Sequence, residues 1–202
     1  MRRLAALSLL GLASLASADR VLTVPTARKL TYGTVRYEFR AEPKQRGARE
    51  HLLGVGIGPA YELELRTEWK NDRVSVGTFD FAYNLIAPIP ELSPGISFGV
   101  QDALDQTFDG RRFYLATTFR PIFSTVNGDV PADVTLGLFQ GRYTHPFVGV
   151  SLPFAREFRL LAEHNGFRPQ AGFELRPRPN LGLRIAFRER QTLTSLQYST
   201  RF

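Results

Sequence analysis

Thr192-Leu193-Thr194-Ser195-Leu196-Gln197-Tyr198-Ser199-Thr200-Arg201-Phe202 closes the chain, and its reading decides the fold. Leu196, Tyr198, Thr200 and Phe202 share one parity; Ser195, Gln197, Ser199 and Arg201 share the other. Side chains on a strand alternate with period two, so this segment is a strand with one apolar and one polar face. In a membrane barrel the apolar face meets lipid and the polar face lines the interior. In a soluble β-sandwich the same apolar face is core, so periodicity alone does not separate the two.

Working back from this strand, the pattern repeats about a dozen times. Leu181, Leu183, Ile185 and Phe187 oppose Gly182, Arg184, Ala186 and Arg188, and Ala171, Phe173 and Leu175 oppose Gln170, Gly172, Glu174 and Arg176. Earlier apolar faces are Phe158-Leu160-Ala162, Val148-Val150-Leu152, Val134-Leu136-Leu138, Phe113-Leu115-Thr117-Phe119 and Ile96-Phe98-Val100. Tyr61, Leu63, Leu65, Thr67 and Trp69 alternate with Glu62, Glu64, Arg66 and Glu68; Leu53, Val55 and Ile57 mark another strand. Val35, Tyr37 and Phe39 alternate with Arg36, Glu38 and Arg40. Between Val74 and Leu85 the phase slips near Thr78, which predicts a β-bulge there.

The chain begins with Arg2-Arg3, an apolar run from Leu4 to Leu15, and Ala16-Ser17-Ala18. A charged region, a short apolar core and a small-x-small site predict a cleaved export signal over residues 1–18. The run is too short to span a bilayer as a helix. Residues 19–202 are then expected to form one barrel domain. With no cysteine anywhere, disulfides, thiol chemistry and a lipoprotein anchor are excluded. No later apolar stretch reaches the length of a membrane helix. The formal charge of +7 is mostly arginine, scattered rather than clustered, and no nucleic-acid motif is present.

Three features favour the membrane barrel over a soluble periplasmic β-domain. Aromatics sit near the ends of apolar faces (Tyr37, Phe39, Tyr61, Trp69, Phe119, Tyr198, Phe202), as interfacial girdles require. Strands are many and turns tight, as at Lys70-Asn71-Asp72 and Arg178-Pro179-Asn180. The chain also ends on a strand, and a closed barrel leaves no free edge. The expectation is an all-β, single antiparallel transmembrane barrel of about 10–12 strands in the outer membrane. The terminal strand resembles the C-terminal signal of bacterial outer-membrane barrels. That resemblance implies recognition of Tyr198 and Phe202 by the barrel-assembly machinery, with outer-membrane lipid as the surrounding partner.

Leu22-Thr23-Val24-Pro25-Thr26-Ala27-Arg28, followed by Gly33 and a first strand, resembles the opening of the exopolysaccharide-associated outer-membrane proteins of the YjbH type. Ile96 to Leu104, then Phe113-Tyr114-Leu115-Ala116-Thr117, is similar to a later strand pair of that family. The resemblance implies an outer-membrane barrel linked to polysaccharide export or the envelope matrix.

The polar parity assigns Arg36, Arg40, Arg66, Arg112, Arg159, Arg176, Arg184, Arg188 and Arg201 to the lumen, with Glu38, Glu62, Glu64, Glu68, Glu163 and Glu174. Two readings of this cationic excess compete. An arginine wall facing water would favour anionic solutes or polysaccharide, with Arg176, Arg184, Arg188 and Arg201 as the wall to test. Alternatively the charges pair and fill the lumen of a structural or adhesion barrel. Barrel diameter, which grows with strand number, decides between them.

A hydrolase or acyltransferase would need a nucleophile, base and orienter within reach. His51 opens a strand, while His145 and His164 precede Pro146 and Asn165-Gly166 in turn-like settings; no spacing brings them to Ser151 or Asp102. The chain is therefore expected to be non-enzymatic, with no cofactor, and no metal motif is present. The proline-rich stretch 87–94, with 102–111 and 124–133, is expected to form a longer exposed rim.

Overall fold

The computed structural model describes residues 20–42, 48–70, 73–107, 110–126, 128–189 and 191–202. The expected export signal lies outside the described residues. Fourteen strands follow in order: β1 (Thr34–Ala41), β2 (Arg49–Ile57), β3 (Tyr61–Lys70), β4 (Arg73–Ile86), β5 (Gly95–Gln101), β6 (Arg112–Phe119), β7 (Ile122–Thr125), β8 (Gly128–Pro131), β9 (Asp133–Gln140), β10 (Thr144–Pro153), β11 (Phe158–His164), β12 (Pro169–Arg178), β13 (Leu181–Arg188) and β14 (Gln191–Arg201). Twelve of them form one closed antiparallel barrel, while β7 and β8 pair as a separate hairpin. The seam is the pairing of β1 with β14, with Tyr37 opposite Tyr198 and Glu38 opposite Gln197. Beyond it the Phe202 N–H donates to the Gly33 carbonyl at 3.0 Å, tying the end of β14 to the residue before β1.

Parity explains the wall. On β1, Arg36, Glu38 and Arg40 are buried while Tyr37 is exposed; on β13, Gly182, Arg184 and Ala186 are buried while Leu183, Ile185 and Phe187 are exposed. The exposed set (Leu65, Leu115, Leu136, Leu138, Phe173, Leu196 and others) runs round the whole barrel. Water-soluble monomers rarely expose a continuous apolar patch above a few hundred Å². An encircling apolar belt is the lipid face of an outer-membrane barrel. Aromatics flank it: Tyr61, Tyr83, Phe119 and Tyr198 lie toward the mouth where the chain ends, Phe39, Trp69, Phe113 and Phe187 toward the far mouth.

The register slips where β3 meets β4, with Glu68 opposite Val76 but Trp69 opposite Val74. The bulge therefore lies between Val74 and Val76, earlier than the phase change at Thr78 located it. The expected common rim also divides. Residues 87–94 and the β7–β8 hairpin stand at the terminal mouth, whereas 102–107 and 110–111 stand at the far mouth, because successive antiparallel connections alternate ends.

The core lies inside the barrel. Residues 20–30, which join no barrel strand, thread the lumen and bury Val21, Leu22, Val24, Ala27 and Leu30. Val24 packs with Ala82, Tyr114, Ala116, Phe139 and Phe147, and Val21 and Leu22 pack with Leu161 and Ala186.

Candidate functional site: an ion-paired lumen with an internal plug

Inward glycines make the space that residues 20–30 fill. A Cβ on Gly95 would lie 2.9 Å from that of Ala27, and one on Gly149 would lie 2.7 Å from Val21 Cγ2. On Gly56 it would meet the Leu30 carbonyl at 2.8 Å. A plug of extended backbone fits because these wall positions carry no side chain.

Polar contacts hold the plug. The Arg20 guanidinium donates to Glu64 at 2.6 Å and to Asp80. The N–H groups of Leu22, Thr23 and Val24 converge on the Glu163 carboxylate at 2.7, 2.9 and 3.2 Å, and the Thr23 hydroxyl adds a fourth donor. Successive N–H groups aimed at one point make an anion-binding nest. Ala27 N–H donates to Thr118 Oγ1 at 2.7 Å, Leu30 N–H to Glu62 at 2.9 Å and Arg28 to Asp133 at 2.7 Å.

The wall pairs its own charges as well. Arg36 bridges Glu62 and Glu64 at 3.2 and 2.6 Å. Arg40 joins Glu38 at 2.8 Å and Glu50 at 3.2 Å, and Arg66 joins Glu50 at 3.2 Å and Asp80 at 2.9 Å. Glu174 takes Arg184 at 2.8 Å and Arg176 at 2.7 Å, while Asp133 takes Arg120 at 3.0 Å and Arg159 at 3.6 Å. Buried ions without such partners would cost several kcal/mol each.

Of the predicted lumen residues, Arg36, Arg40, Arg159, Arg184, Glu38, Glu62, Glu64, Glu163 and Glu174 are buried, and Arg66, Arg112, Arg176, Arg188 and Glu68 are half-buried. Arg201 stands at the rim. It keeps the inward parity but is exposed at the end of β14, past the closed part of the lumen. The expected test wall also divides: Arg184 and Arg176 pair with Glu174 inside the wall, whereas Arg188 borders an open cavity.

That space is a cavity of about 380 Å³ at the far mouth, lined by Arg20, Arg40, Arg49, Arg66, Arg112 and Arg188 against Glu42, Glu50 and Glu68. Six guanidiniums and three carboxylates line this vestibule among the described residues, and Arg20, Arg40 and Arg66 are also paired with Glu64, Glu38 and Asp80 behind the lining. Its floor is the plug, through Arg20 and Thr23. Arg188 reaches Glu42 at 2.9 Å, and Arg112 donates to Gln101 at 2.8 Å and lies over the Phe139 ring.

Asp102 follows β5 at the same mouth. Burial would raise its pKa, but donors from Thr107 Oγ1, Gln106 N–H and Thr107 N–H outweigh that and hold it at about 2. His145, expected in a turn, stands inside β10 between the Phe139 and Phe167 rings. His51 lies on the outer face bonded to Tyr37 Oη at 2.6 Å, and His164 ends β11. Among the described residues no group of three or more acids and histidines is placed to hold a metal.

Parity reasoning missed Glu50, Asp80 and Asp133, although Asp80 shares the inward parity of Thr78 and Ala82, and a strand-by-strand count would have found it. Arg20 and Arg28 carry no periodic signal, so only the folded chain brings them to the lumen.

No family model matches this chain, and no curated protein matches it. Solved structures share its fold, two porins among them. One is a KdgM porin in complex with disordered oligogalacturonate (TM-score 0.51, 12% identity, covering 84% of this chain and 99% of that one). The other is a KdgM porin (TM-score 0.51, 11% identity, the same coverages). At these identities the likeness is one of fold, and the chain has the architecture of a twelve-stranded outer-membrane barrel.

Proposed function

We propose that this barrel handles polar, anionic solutes at the outer membrane, among them acidic oligosaccharides, and lets them pass when its lumen is open. The observation that carries this reading is the vestibule. It gathers six guanidiniums round an open cavity, with Arg49, Arg112 and Arg188 at its rim, and guanidiniums grouped at a mouth favour anions. The solved porin that holds oligogalacturonate supports the solute class by analogy of fold. The resemblance of Leu22–Arg28 to YjbH-type proteins supports a polysaccharide-linked role. On the same reading the chain is not an enzyme, since none of its three histidines pairs in register with Ser151 or Asp102. Tyr198 and Phe202, exposed on the outer side of the last strand, are the residues that assembly machinery would meet.

The test is planar-bilayer conductance of the protein across a salt gradient, with oligogalacturonate added to either side. Anion-preferring current blocked by the oligosaccharide, with preference reduced by Arg112→Glu and Arg188→Glu, is the expected result. Current with no charge preference would remove the reading. A second reading, a permanently closed structural barrel, draws on the burial of the plug; it requires silence from folded, inserted protein under every condition, including a variant without the plug.

A further inference from the structure

We propose that Arg20–Leu30 is a movable gate, latched by Glu163, whose withdrawal opens the lumen; this rests on the reading of the barrel as a channel. The argument is one of charge accounting. If the plug were a permanent part of the wall, the acids it touches would depend on it. Most do not. Glu62 and Glu64 keep Arg36, Asp80 keeps Arg66, and Asp133 keeps Arg159 in the wall and Arg120 just past β6, none of them part of the plug. The wall therefore holds its own ion pairs with the plug gone.

Glu163 is the exception. Its carboxylate takes three plug N–H groups and the Thr23 hydroxyl, and its wall partner is the Gln170 amide. Charge-assisted hydrogen bonds are the strong ones, and Glu163 takes four of them from the plug, more than any other acid that touches it.

The plug is also built to leave as a unit. It adds no strand to the barrel: its own bridge is internal, Arg20 to Pro25, and the Val21 N–H closes a tight turn on the Val24 carbonyl at 3.0 Å. It is tethered to β1 through Gly33, whose φ of +74° sits in the region open to glycine. Its other end, Arg20, lies at the vestibule floor, where an arriving anion would meet it. Withdrawal leaves Arg40, Arg49, Arg66, Arg112 and Arg188 in the wall of the mouth, so anion preference there does not depend on the plug.

The chain has no cysteine, so a disulfide can lock the gate on a clean background. A Cβ built on Gly149 lies 3.3 Å from that of Val21, close to the separation a disulfide spans. The experiment is bilayer conductance of Val21→Cys/Gly149→Cys in oxidant and then in reductant, beside Glu163→Gln and a variant in which 20–30 is an equally long Gly-Ser stretch. The expected result is closure when oxidised, return of openings on reduction, an open probability raised about tenfold in Glu163→Gln, the scale of losing charge-assisted hydrogen bonds, and persistent current in the Gly-Ser variant. Equal current in the oxidised and reduced forms would overturn the gate while leaving the channel standing. A folded Gly-Ser variant that never conducts would overturn the channel reading, and the gate with it.

Discussion

Arg36 is 1% exposed and holds Glu62 and Glu64 from the centre of β1. Truncating it to methionine leaves two buried carboxylates short of a cation. The expected cost is about 3–5 kcal/mol, the range for breaking a buried ion pair from one side. Urea titration of the barrel refolded into vesicles measures it, and a loss under 1 kcal/mol would mean the acids find water or other partners. Asp102 makes a different prediction because its effect depends on pH. Its folded pKa of about 2 lies below the unfolded value near 3.9, so its stabilisation is complete above pH 4 and fades as pH falls toward 2. The stability gap between wild type and Asp102→Asn should stay level from pH 8 to 5, at about 2 kcal/mol, and close below pH 4. A gap that changes between pH 8 and 5 would assign the effect to another group.

At the scale of the strand, the same substitution should have opposite costs according to height on the belt. Leu136, outward on β9 and opposite Val148 and Thr117, sits well inside the apolar band. Leu136→Arg is expected to cost about 2–4 kcal/mol in vesicles, and Gln140→Arg at the end of the same strand about 0–1 kcal/mol. Similar costs at both positions would argue against a lipid-facing belt. The strands themselves were legible in the sequence because a side-chain period of two is a local property. The position of the β4 bulge was not, because a bulge is defined by the partner strand, and the phase change near Thr78 appears only after the extra residue has been inserted.

For the molecule as a whole, the lumen is closed by its own chain. The absence of native cysteine allows a direct check. A cysteine at Val24, which has 0% exposure, should resist a membrane-impermeant thiol reagent, whereas one at Arg49 on the vestibule rim should react at once. Fast labelling at both would mean that the plug leaves the lumen freely at rest. Half of the candidate site was thus readable in advance: the inward Arg and Glu side chains follow from parity. The other half, Arg20 and Arg28, was not, since these residues belong to no strand and reach their partners across 44 and 105 positions of chain.

Taken alone, the sequence determined the strands, the division of each into an apolar and a polar face, and the excess of arginine over glutamate on the polar faces. These depend on the alternation of side chains along each strand, which needs no knowledge of what a strand pairs with. The closing of twelve strands, the pairing of particular arginines with particular acids, and the occupation of the lumen by Arg20–Leu30 were decided only in the tertiary structure. The reason is geometric. Whether a charged wall encloses water or chain depends on the width of the closed barrel and on the room its inward glycines leave, and both arise from contacts between residues far apart in sequence.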